Sequence, residues 1–122
     1  MASLRLSRAA ESDIVEILAW SEAQFGAVAR RRYERLIAVA LLDLASDPAR
    51  PGSLLRPELG PGVRSWHLRG SRERARIEGG AVRQPRHFVI YRQVETGGIA
   101  IGRLLHDAME LWRHLSGDDD WT

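Results

Sequence analysis

The sequence predicts one α+β domain: an N-terminal strand, an antiparallel helix hairpin, a three-stranded antiparallel meander and a short C-terminal helix. Three observations carry this. Residues 29–44 repeat apolar side chains at the helical interval. Residues 86–106 form two β-branched and aromatic runs about a Thr-Gly-Gly. A length of 122 residues, with 44% hydrophobic and 28% charged, suits one globular domain and not two. That domain is assigned to residues 1–116, with residues 117–122 as an acidic disordered tail.

The elements follow in order. "SLRLS" (3–7) alternates Leu4 and Leu6 with polar residues, as a short strand does, and Ser7 suits a helix N-cap. Ile14, Ile17, Leu18, Ser21 and Phe25 follow at helical spacing, and Gly26 ends the run. Ala29, Tyr33, Leu36, Ile37, Ala40, Leu41 and Leu44 then form the stripe of a second helix, which "SDP" (46–48) stops. A break this short makes the pair an antiparallel hairpin, with Trp20 and Tyr33 expected in its core or interface. "DPARPGSLLRPELGPG" (47–62) reads as an irregular surface crossing. "VRSWHLR" (63–69) alternates as a strand, with Trp66 expected to pack in the sheet, and residues 70–85 read as a mobile, arginine-bearing loop. "RHFVIYRQV" (86–94) and "GIAIGRLLH" (98–106) are the clearest strands. "DAMELWRHL" (107–115) suits a closing helix with Asp107 at its start.

Composition excludes several function classes. No run of about 18 apolar residues occurs, so no membrane span is expected. The opening "MASLRLSRAAESD" lacks an apolar signal core and turns acidic at once, and cysteine is absent; both fit the cytoplasm and leave no disulfide or cysteine–zinc scaffold. All 18 basic residues are Arg, so any chemistry proceeds without lysine. Charge is uneven: residues 61–106 carry nine Arg against Glu73, Glu78 and Glu95, a local +6, while residues 107–122 carry one Arg against five acids, a local −4. The basic segment implies an anionic partner, nucleic acid or an acidic protein surface.

A two-residue turn at Thr96-Gly97 sets Val94 opposite Ile99, Arg92 opposite Ile101, Ile90 opposite Arg103 and Phe88 opposite Leu105. One face then holds Phe88, Ile90, Val94, Ile99, Ile101 and Leu105 with both arginines as diagonal neighbours. The other holds His87, Val89, Tyr91, Ala100, Gly102, Leu104 and His106. Both faces are largely apolar, and one helix hairpin covers only one of them; the other is a docking surface. Two neighbouring guanidiniums call for an anion, a partner's carboxylates or an internal acid. A β-bulge at Gly102 would instead turn Arg103 outward and dissolve the pair.

The order of these elements, with "LSRAAESDIVEILAWSEAQFG" (6–26), "VRSWHLR" (63–69), "RHFVIYR" (86–92) and "IAIGRLLHDAMELWRHL" (99–115), resembles the RelE/ParE family of toxins from type II toxin–antitoxin systems. The Arg-x-Leu-His strand end and the later Arg-His-Leu are similar to the ParE branch. Residues 70–85 exceed the tight connection of many members. The resemblance implies a toxin that poisons DNA gyrase and is neutralised by a ParD-like antitoxin of ribbon-helix-helix type, acidic where it meets the toxin, in a hetero-oligomeric complex without a cofactor. It equally leaves a RelE-type ribosome-dependent mRNA endonuclease, or a degenerate toxin that only binds antitoxin. RNA cleavage without metal needs a base, an acid and cations on the phosphate, and Arg92, Arg103 and His106 would have to supply them. The candidate target or antitoxin contacts are Arg92, Arg103 and His106, then Arg64, Arg69, Trp66 and Tyr91, with no catalytic residue assigned. His67, His87, His106 and His114 lack metal-ligand spacing, so no metal site is expected.

Overall fold

The computed structural model describes residues 3–77, 79–94, 97–109 and 121. Its order is β1 (Leu4–Leu6), α1 (Arg8–Phe25), α2 (Ala27–Ser46), β2 (Leu54–Leu55), a 3₁₀ turn (Pro57–Leu59), β3 (Val63–His67), a second 3₁₀ turn (Leu68–Ser71), β4 (His87–Gln93) and β5 (Ile99–His106). The strands form one sheet in the order β1-β5-β4-β3-β2. The expected meander is β3-β4-β5, and β1 joins it in parallel beside β5. The crossing of residues 47–62 is less irregular than its prolines imply, because Leu54 and Leu55 add an edge strand against Ser65 and Arg64.

The helices form as their patterns dictate. Ser7 caps α1, its Oγ accepting from the Ala10 N–H at 2.9 Å. Gly26 stands between the helices at φ 92°, a left-handed conformation that turns the chain in one residue and strains any side chain. The stripe on α2 from Tyr33 to Leu44 is buried throughout. It packs with Leu18 of α1 on Val89, Tyr91, Ile99, Ile101 and Leu104. The outer side of α1 is less covered than expected: Trp20 and Phe25 are 57% and 69% exposed, edge to face with centroids 5.7 Å apart.

The β4–β5 register departs from a two-residue turn in one half only. Val94 N–H donates to Gly98 O, and Gln93 pairs with Ile99, Arg92 with Ala100 and Tyr91 with Ile101. Beyond a register shift the expected pairs return: Ile90 with Arg103, Val89 with Leu104, Phe88 with Leu105. Gly102 is the extra residue. A bulge reverses side-chain alternation, so Ile99 and Ile101 move to the helix-covered face and Ala100 to the opposite one. The bulge is pinned from the helix side, where Ser7 Oγ donates to Gly102 O at 2.7 Å. On the other face a second cluster forms from Val63, Ile90, Ala100, Leu105 and Trp121.

Two further expectations change. Residues 70–85, read as a mobile loop, are tied down. Ser71 Oγ donates to Asp43 Oδ2 at 2.7 Å, Arg74 binds the Asp43 carboxylate through Nε and Nη2, Arg72 Nε donates to Val82 O at 2.6 Å, and Ala75 is buried. Asp107 to Met109 make a turn closed by Met109 N–H on His106 O, where a helix start was expected. The remainder of the expected closing helix, and all of the 117–122 tail but Trp121, lie outside the described residues.

Candidate functional site

The two strand arginines do not form a cationic pair. Arg103, at the bulge, makes a two-pronged ion pair with Asp13 of α1, Nε to Oδ2 at 2.8 Å and Nη2 to Oδ1 at 3.0 Å. Asp13 also accepts from the Leu104 N–H at 2.9 Å, so one carboxylate fastens α1 to the strand by side chain and backbone. Arg92 has a different neighbour, its guanidinium 4.6 Å from the centre of the Trp121 ring. Trp121 is 6% exposed and rests on Gly102, where an added Cβ would meet the indole at 2.9 Å. The face expected to stand open is therefore partly covered by the chain's own tryptophan.

His106, the third candidate, is half-buried at one end of the sheet within a cluster. His87 stands across from it, ring centres 5.4 Å apart, and Tyr33 Oη lies 2.6 Å from His87 Nδ1. The Arg86 N–H also donates to Tyr33 Oη. Burial keeps His87 neutral, with its pKa pushed down to about 4. Burial also pushes the Tyr33 hydroxyl up to about 12. His67 Nδ1 accepts from the Arg69 N–H, leaving Nε2 to donate to Asp107 Oδ2 at 3.0 Å. Burial lowers the His67 pKa in the same neutral sense. Burial would raise the Asp107 pKa, but hydrogen bonds from His67 and Arg86 outweigh it and hold the carboxyl below its ordinary range. His106 Nδ1 accepts from the Ala108 N–H at 3.1 Å. Among the described residues no group of three His, Asp, Glu or Cys side chains is placed to hold a metal.

The secondary candidates divide. Arg69 is exposed beside this cluster, and Arg64, half-buried, donates to Ser53 Oγ at 3.0 Å. Trp66 and Tyr91 are 5% and 0% exposed. Trp66 Nε1 donates to Ser71 Oγ at 3.0 Å with Arg50 over its ring, and Tyr91 Oη donates to Pro48 O at 2.5 Å. Both hold the layers together and offer no surface.

Three residues that organise the site escaped the sequence reading. Asp13 looked like any acid in the early turns of a helix, Asp107 like a helix cap, and Trp121 like part of a polar tail. A signal existed only for Asp13: an acid on the inner side of a helix needs a cation facing it. No helix among the described residues is long and apolar enough to cross a membrane.

A family model for the ParE toxin of type II toxin–antitoxin system, parDE, matches residues 4–111. No curated protein matches the chain.

Proposed function

The chain belongs to the ParE toxin family of type II toxin–antitoxin systems, and on that footing we propose that it poisons DNA gyrase when free and is silenced by a ParD-like, ribbon-helix-helix antitoxin in a hetero-oligomeric complex. The observation that carries this is the family match over residues 4–111, nearly the whole domain. The charge pattern supports it, since a +6 segment asks for an acidic antitoxin segment. Exposed Trp20 and Phe25 on the helix hairpin supply apolar contacts of the kind an antitoxin helix uses. In this reading Arg64, Arg69 and His106 face partner or target, while Arg103 holds α1 through Asp13 and Arg92 holds Trp121.

A second reading, a metal-independent mRNA endonuclease acting on ribosomes, is favoured by one observation: half-buried His106 stands beside His87, and its chain neighbour Asp107 lines a pocket with four arginines. There His106 would be the general acid or base. Purified toxin with purified gyrase separates the two. A gyrase poison blocks supercoiling or traps cleaved DNA and leaves ribosome-bound mRNA intact. An endonuclease cuts that mRNA, more slowly as His106→Ala. If excess toxin left gyrase activity unchanged, the first reading would be wrong.

A further inference from the structure

At the end of β3 the Leu68–Ser71 turn and the segment entering β4 border an open pocket of about 300 Å³. Arg69, Arg72, Arg83 and Arg86 line it together with His67, Gln84, Pro85 and Asp107. We propose that this pocket binds the phosphodiester backbone of a nucleic acid. The proposal does not depend on which target the toxin attacks.

Charge is the first argument. Among the described lining residues four guanidiniums stand with one carboxylate, a formal +3, because His67 is held neutral by its two hydrogen bonds; of the four, Arg72 also meets Glu73 at 3.4 Å. Asp107 is already engaged by His67 and by Arg86, at 3.0 and 2.9 Å, and has little left for the other cations. Preorganisation is the second. Arg72 is anchored by Nε on Val82 O, and Arg86 by Asp107, so two forks are fixed in place before any ligand arrives. The guanidiniums of Arg69 and Arg83, both exposed, have no hydrogen-bond or ion-pair partner among the described residues. Two anchored and two open guanidiniums about one cavity suit a ligand with repeated single negative charges.

The lining selects among anions. Among the described residues no Leu, Ile, Val, Phe or Trp side chain borders the pocket. A peptide would find charge there but no apolar anchor, and interface energy concentrates on such anchors. A phosphodiester needs none: its two unesterified oxygens match the planar guanidinium fork, and charge supplies most of its affinity. Gln84 adds an amide that can donate to a sugar or a base edge.

The test uses the intact toxin and fluorescein-labelled dodecamers of single-stranded DNA, duplex DNA and RNA, read by fluorescence anisotropy. The decisive comparison is between two double variants of equal charge. Arg69→Ala/Arg83→Ala removes the open pocket cations, and Arg31→Ala/Arg35→Ala removes two exposed arginines of α2 that have no partner among the described residues. All four side chains are exposed, and circular dichroism checks that the fold persists. The pocket variant should bind roughly tenfold more weakly, and its slope of log K against log salt should fall by about 1.5–2, with the α2 variant close to the parent. Whichever dodecamer binds most tightly names the source of the phosphates. Equal losses in both variants would mean diffuse attraction and overturn the proposal, as would no measurable binding. A Glu octapeptide that displaced the dodecamers at equal concentration would reassign the pocket to acidic peptide and overturn it too.

Discussion

His87 carries a proton arrangement with a consequence for stability. Its ring is buried against Tyr33 and His106, so protonation puts a charge where water is largely excluded. The folded pKa, about 4, lies below the ordinary 6.5. Below about pH 6.5 the unfolded chain gains a proton that the folded chain refuses until about pH 4, and stability is lost as pH falls through that window. Above it His87 contributes nothing. The urea midpoint should drop between about pH 7.5 and pH 5, and His87→Asn, whose side-chain amide can still bond to Tyr33, should flatten that drop. An unchanged slope would refute the assignment. Asp13→Ala tests the other strong residue-scale contact. It takes the carboxylate from Arg103 and from the Leu104 N–H, at a cost of about 2 kcal/mol in urea denaturation. The sequence marked both strand arginines as anomalies but not their partners, because Asp13 lies 90 residues from Arg103 and local patterns cannot join them.

At the scale of elements, the helices were legible and the hairpin half so. Helical periodicity needs only the chain itself, and Tyr33 to Leu44 obey it. Register needs the turn length and the bulge together, and a one-residue error at the turn is cancelled at Gly102. That glycine has an ordinary backbone conformation, so the constraint there is space. Gly102→Val should push the indole of Trp121 off the sheet and shift its fluorescence to the red, with no shift when Trp121 is Phe. A red shift in both backgrounds would show that Gly102 matters for another reason. The two-residue β2 escaped notice because its leucines sit among prolines, and the 70–85 segment because its anchors are arginines, which by composition read as solvated.

Across the whole molecule, Asp43 adds a polar tie between layers that also share an apolar cluster. It lies on α2 and holds Ser71 and Arg74 of the connection between β3 and β4, with Arg50 at 3.7 Å. Burial would raise its pKa, but hydrogen bonds from Arg74 and Ser71 and the nearby Arg50 prevail and keep it ionised. Asp43→Ala should free residues 70–77, seen as roughly tenfold faster amide hydrogen exchange there with little change in β4 and β5. Uniform acceleration through the sheet would mean global destabilisation instead. The parallel pairing of β1 with β5 has a consequence in time. Leu4, Arg5 and Leu6 find their partners only in Ile99, Ala100 and Ile101. During synthesis the first strand must wait for the last, and until then α1 and α2 can cover only the β4 side of the sheet. A chain interrupted before β5 lacks the partner of β1 and cannot close this sheet, so the fold is completed only once β5 has been made.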